Sequence, residues 1–448
     1  MLTLVFTTIF SLTALGIAGW VNYQHRLSRQ KVSWHNALQI AEAGINYYRW
    51  HLAHAPGDYT DGTGLPGPYI HDYTDPQGAI IGKFSLEIAP ANECTSSVII
   101  KSTGWTTIEP NTKRVIAMRY GQESLAAYAF LTNANVWFGN NESLHGEVHS
   151  NGGIRMDGQS DSLVTSAKET YICGTEHGCN NEEKPGIWGT GSDQSLWNFP
   201  VSNIDFEALT IDLATLKGQA ESSGIFLQQQ GLGYHIVFKD NGTFDVYRVT
   251  KLEHPVWGYD MEKWKRESND IQTQSFEANY PISGECNIIF AEDDVWVDGV
   301  VKGRITLAVA KLPAVSNSYR KIVINDNLTY FEKNGLHVLG LIAQRDIIVP
   351  YSSAPEYLEI DAAMIAQNGR IFRYYYENDL KESITTYGSI ISNNTWTWTW
   401  LNSFGNPISG YEETSTVYDP NLKYKPPPYF PTKETYTFLR WGEETDKQ

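Results

Sequence analysis

The first 21 residues, MLTLVFTTIFSLTALGIAGWV, hold no charged side chain, and no other feature constrains the chain as much. As a helix rising about 1.5 Å per residue, this run crosses a hydrocarbon core of about 30 Å. Being apolar all round, it suits lipid or a bundle of helices. No Lys or Arg precedes it, so the basic start of a secretory signal is missing. Arg26, Arg29 and Lys31 follow it, which by the positive-inside rule alone would leave the remainder in the cytoplasm. A basic leader removed upstream of Met1 would reverse that expectation.

The helix is expected to continue. Trp34, Leu38, Ala41, Ile45, Tyr48 and Leu52 recur at alternating steps of four and three, an amphipathic stripe ending before Pro56-Gly57. The alternative is a membrane anchor followed by an unrelated stalk. Next come IIGKFSLEI, SVIIKSTGW and TKRVIAMRY, short and partly alternating runs separated by Pro, Asn and Gly. They read as a three-stranded antiparallel meander.

With 448 residues the chain exceeds what one core supports, and 41% hydrophobic residues exclude a disordered chain. A net charge of −17 with no basic cluster argues against nucleic acid as a partner. Of the four cysteines, Cys173 and Cys179 flank the short loop CGTEHGC and are placed to form a local disulfide. A zinc site would need further ligands, and only His177 lies between them. The pairing of Cys94 and Cys286 stays open. A disulfide favours an oxidising, extracytoplasmic location.

The apolar N-terminus, ALQIAEAGINYYRW at the helix end and IIKSTGW…TKRVIAM resemble the large minor pilins of type IV pilus assembly. The resemblance covers roughly residues 1–125. It implies a pilin-like helix laid on the meander, removal of a leader, and a helix that leaves the membrane to enter a filament core of other pilin-like subunits. Leu4, Leu12, Leu15, Gly16 and Gly19 would lie in that core, the glycines permitting close helix approach. The chain departs from the family at Val5, where major pilins carry Glu.

Beyond residue 125 the chain repeats itself. ANVWFGNNESLHGEVHSNGGIRM and DDVWVDGVVKGRITLAV share one phrase, and GLIAQRDIIV, AMIAQNGRIF and SIISNNTWTW share another. In the second set Ile342, Ile365 and Ile391 align, with Gln344, Gln367 and Asn393 two residues on. The spacing is that of one coil of a right-handed parallel β-helix, with the amides stacked as a ladder. A β-sandwich is the rival fold. The fold class expected is thus mainly β with a long N-terminal α-helix: a helix over residues 1–55, a meander over 56–125, a β-solenoid head over 126–400, and an extended Pro-rich tail over 401–448. An α/β insertion is expected at about 159–284, holding a helix over Asp205 to Ser222 and a hairpin at Asn241-Gly242. The tail would pack along the outside through Tyr429, Phe430 and Trp441.

Signals for chemistry are few. Glu292, Asp293, Asp294 and Asp298 read as a solvated corner; His145, His149 and Asp157 read as rung packing. Asp58 and Asp61 in PGDYTDGTG are a weak calcium candidate without a ligating Glu at fixed distance. No catalytic residue, cofactor or other metal is assigned. Strand alternation in TWTWTW would put Trp396, Trp398 and Trp400 on one face, a platform for sugar rings or a protein partner unless something covers it. The expected function is a non-enzymatic pilin-like surface subunit, in the membrane before assembly, acting in pilus assembly, display or adhesion. The alternative is a membrane-anchored β-helix that binds or degrades polysaccharide.

Overall fold

The computed structural model describes residues 2–55, 57–91, 97–191, 193–206, 213–402 and 405–444. The chain divides into two compact units, one containing the N-terminal helix and the last strand, the other running from Glu123 to Glu434. Cys94 lies outside the described residues.

In the first unit α1 spans Leu2–His54 as one helix. Strands β1 (Tyr69–Thr74), β2 (Ile80–Ala89), β3 (Ser97–Thr106) and β4 (Lys113–Ser124) pair antiparallel in sequence order. The three runs of the expected meander are β2, β3 and β4, and β1 adds a strand that the sequence reading missed. Alternation along β3 buries Val98, Ile100, Ser102 and Gly104. Against that face α1 lays Ala37, Ile40, Ala41, Ile45, Tyr48 and Leu52. Trp34 and Leu38 therefore do not lead the buried stripe. Trp34 is exposed, with the Arg114 guanidinium 3.3 Å above its ring.

The two small-residue motifs have a steric explanation. A Cβ at Gly44, the last residue of AEAG, would sit 2.3 Å from Ser102 Oγ. A Cβ at Gly104, the last residue of STG, would sit 2.3 Å from Ala37 O and 2.4 Å from Ala41 N. Each motif thus makes room for the other element, and the helix backbone rests almost directly on β3.

The expected tail over 401–448 is corrected by the structure. Pro407–Tyr418 pairs parallel inside the second unit, and Thr432–Glu443 is the fifth strand of the first unit's sheet, next to β4. Arg114 pairs with Glu443 there, and Glu444 N donates to Val115 O at 3.0 Å. The three consecutive prolines only interrupt the chain; the residues after them keep their N–H donors and can join a sheet.

The second unit is mainly β. Its longest parallel ladder uses β5 (Phe130–Thr132), β6 (Val148–Ser150), β7 (Val164–Ser166), β8 (Trp197–Asn198), β9 (Ile225–Leu227), β10 (Asn287–Ala291), β11 (Arg304–Val309), β12 (Val338–Ala343), β13 (Tyr357–Ala366) and β14 (Leu380–Ser392). In space the order is β9-β10-β11-β12-β13-β14-β5-β6-β7-β8. The chain enters in the middle, steps out to β8, and restarts at the opposite end with α2 (Leu213–Ser223) and β9. It then returns until β14 closes on β5.

Ile342 pairs with Ile365 and Ile365 with Ile391, the register expected from the repeat. The neighbouring column reads Ile289, Leu307, Leu341, Met364, Ile390, Phe130, Val148 and Val164, every one buried. Both columns are apolar because both sides of these strands are covered. On the Ile342 side, a Cβ at Gly340 would meet Phe430 and Pro427 at 2.9 Å, and Thr306 donates to Pro428 O. The Pro-rich segment is that cover. An amide ladder forms too, and it continues from the expected Asn393 to two positions not expected: Asn151 Nδ2 donates to Asn133 Oδ1 at 2.9 Å and Asn133 Nδ2 to Asn393 Oδ1 at 3.0 Å.

The expected insertion over 159–284 also needs correction. Gln159–Ser160, β7 and β8 pair parallel with earlier strands, and Tyr234–Lys239 pairs parallel with Val295–Val301. These segments belong to the ladders. The antiparallel part is narrower: Thr243–Leu252 joins Tyr234–Lys239 through the Asn241-Gly242 turn, Gly242 at φ +81°, and pairs again with Ile271–Pro281. Of the expected helix over Asp205 to Ser222, residues 207–212 lie outside the described residues; Leu213–Ser223 is helical and buries Leu213, Leu216 and Ala220.

Candidate functional site

Two surfaces stand out, one in each unit. The described side chains in the first half of α1 are exposed, Leu12 at 69% and Leu15 at 70%, although the helix is long and apolar enough to cross a membrane. A Cβ at Gly16 or Gly19 would meet nothing within 4 Å, so nothing in this unit accounts for those glycines. Leu4 is helical, and its side chain lies outside the described residues.

The calcium candidates are already engaged. Asp58 accepts from Thr60 Oγ1 and N at 2.7 and 2.8 Å and from Gly62 N at 2.8 Å, and it meets His51 Nε2 at 3.1 Å. The Thr60 hydrogen bonds bring its pKa down to about 2. Asp61 meets His71 Nε2 at 2.6 Å.

In the second unit the acidic corner is not solvated. Asp293 is fully buried and accepts from Gln230 N and Gly231 N; Glu292 is buried and accepts from Lys217 Nζ. Asp294 accepts from Lys321 N, and Asp298 from His235 and Asn325. Buried carboxylates need such donors, and segments packed beside this turn, from Lys217, Gln230-Gly231 and His235 to Lys321 and Asn325, supply them. His145, His149 and Asp157 are not brought together. His145 meets Asp161, His149 lies between Thr165 and Asn151, and Asp157 accepts from Trp137 and Arg155. Cys173 and Cys179 are bonded, with Cα atoms 5.6 Å apart.

The tryptophan platform does not exist as an open face. Trp396 and Trp398 are 3% and 1% exposed, and Trp396 packs on Phe130 and Phe138 with ring centroids at 5.3 and 5.8 Å. Only Thr399–Leu401 of this stretch is strand, so strict alternation does not apply. Trp400 stays partly exposed; its Nε1 donates to Arg373 O at 2.8 Å, and its ring is 5.7 Å from Tyr259.

The same stretch nevertheless forms one wall of a cleft of about 700 Å³. Trp137, Tyr259 and Trp400 are its partly exposed aromatics; Arg155, Glu176 and His177 contribute polar groups, and the buried Glu142 also lines it. Segments around Trp137, Arg155, Glu176, Tyr259 and Trp400 meet here, and of these only TWTWTW was read from the sequence as a binding surface. Tyr259 and Glu142 carried no local signal. Arg155 Nε donates to Asp157 at 2.7 Å and its guanidinium lies 4.1 Å from the Trp137 ring centroid. Burial pushes the His177 pKa down, and desolvation pushes the Glu142 carboxyl up to about 7, opposed by the hydrogen bond from Thr414.

A pH test follows from Glu142. Its folded pKa of about 7 exceeds the ordinary 4.5, so the folded state holds a proton that the unfolded state releases, and stability falls as pH rises through that window. Glu142→Gln should match the parent near the acid end of the window. It should exceed the parent above pH 7 by up to about 3 kcal/mol. Denaturant melts at the two pH values would measure this, and a parallel pH dependence in both proteins would refute it.

No family model matches the chain, and no curated protein matches it. Among solved structures, the chain is similar to the crystal structure of the competence-associated pilin ComZ from Thermus thermophilus, at 15% identity and a TM-score of 0.34, over 92% of this chain and 97% of that one.

Proposed function

We propose that this chain is a pilin-like subunit whose N-terminal helix leaves the membrane to join the helical core of a filament, where the second unit is displayed outward as a right-handed β-solenoid head. The observation that carries this reading is the division of labour along α1. Its second half is buried on an antiparallel sheet through the AEAG and STG motifs, while its apolar first half is bare. An apolar face of that size is stable only against lipid or other helices. Parallel pairing of segments repeating at coil spacing supports the solenoid. The Cys173–Cys179 bond supports an oxidising exterior. The head acts by display rather than catalysis, a role supported by the structural engagement of its acidic and histidine candidates.

Leu12→Lys or Leu15→Lys tests the core. A charge at the helix centre costs at least about 3 kcal/mol in the bilayer and more in a packed bundle. Both variants should vanish from the sheared filament fraction while the Cys173–Cys179 bond still forms. Normal incorporation would overturn the reading, as would a native protein found only as a monomer whose N-terminal helix meets lipid.

A further inference from the structure

We infer that the cleft bordered by Trp137, Tyr259 and Trp400 is a binding site for an uncharged oligosaccharide. The inference concerns the second unit alone and stands whether or not α1 enters a filament. The cleft's volume of about 700 Å³ falls within the roughly 300–1,000 Å³ of small-ligand sites and has room for more than one sugar ring.

The aromatic side chains are held ready. Trp137 Nε1 donates to Asp157 at 2.9 Å, Trp400 Nε1 to Arg373 O at 2.8 Å, and the Tyr259 hydroxyl to Met261 O at 2.9 Å. With their polar atoms committed inside the protein, what the partly exposed rings leave open to a ligand is apolar ring surface, one face of Trp137 being covered by Arg155. A pyranose has an apolar C–H face that stacks on an aromatic ring and a rim of hydroxyls that needs polar neighbours. Preorganised rings also lower the ordering cost of binding.

Charge selects among sugars. Arg155 is neutralised by Asp157, and His177 is the other basic side chain among the described lining residues. Burial disfavours the charged forms of both His177 and Glu142, lowering the first pKa and raising the second. No cation is left over for a uronate, sulfate or phosphate, and Glu176 at the rim repels them. The wall also contains partly exposed polar side chains at Thr395 and Thr399. Hydroxyl groups, donors and acceptors at once, suit a wall of this mixed kind.

The test uses the full chain in detergent against immobilised di- to pentasaccharides of glucose, galactose, mannose and N-acetylglucosamine, with oligogalacturonate and sulfated oligosaccharides as the charged arm. Binding to one or more neutral glycans is expected, weakened at least about tenfold by Trp400→Ala and by Tyr259→Ala. The Cys173–Cys179 bond and the far-ultraviolet circular dichroism of both variants should match the parent, which separates a lost contact from a lost fold. If Trp400→Ala misfolds, Tyr259→Ala decides alone. Failure to bind any neutral glycan, binding confined to the charged arm, or neutral binding indifferent to a folded Tyr259→Ala would each overturn the inference. Filament incorporation enters none of these measurements.

Discussion

Leu341→Asp should leave the second unit unfolded at 25 °C. Leu341 is fully buried, with Leu307 and Met364 as its register neighbours in the apolar column. Losing the leucine side chain costs about 2–5 kcal/mol, and placing a carboxylate there without a donor costs several more even if it takes up a proton. Together these reach the roughly 5–15 kcal/mol by which a whole domain is stable. Circular dichroism and proteolysis of Glu123–Glu434 would report the loss. Leu341→Met keeps the volume and should cost less than about 1.5 kcal/mol. A folded aspartate variant would mean that this column is not the core of the unit.

Gly104→Val should detach α1 from its sheet. The new Cβ would arrive 2.3 Å from Ala37 O and 2.4 Å from Ala41 N, both backbone atoms, so no rotamer change relieves the collision. Overpacking against side chains costs about 1–3 kcal/mol, and a clash with helix backbone should exceed that range. The helix must then lift away, exposing Ile45, Tyr48 and Leu52. Hydrogen exchange should show amides 37–52 of α1 losing protection while the second unit keeps its own. Unchanged protection would show that STG has another role than admitting the helix.

The candidate site was less legible than the fold. TWTWTW was singled out as a platform, whereas it forms a wall, because alternation assumes a strand and only Thr399–Leu401 is one. Trp396 and Trp398 turn inward where the core has room for two indoles, a fact of packing that no six-residue pattern contains. Glu142 and Tyr259 left no trace because a cleft is made by chain segments that meet only after folding.

Local sequence determined what local physics decides. Absence of charge and a helical stripe ending at Pro56 set the extent of α1, Asn241-Gly242 set a hairpin, and CGTEHGC set a disulfide, each within reach of a few residues. The repeat around Ile342, Ile365 and Ile391 set a register, because neighbouring parallel strands of similar sequence bury like against like. Tertiary structure alone decided the order of strands. β5 pairs with β14, and Asn133 bonds Asn393 across 260 residues, although nothing near either asparagine names the other. Parallel pairing matches apolar columns that many strands share, so local pattern says what a strand buries but not which strand lies beside it. The last strand, Thr432–Glu443, returned to the first unit's sheet for the same reason: a row of unpaired donors and acceptors beside β4 is satisfied by any segment that fits, and only the folded chain brought this one there.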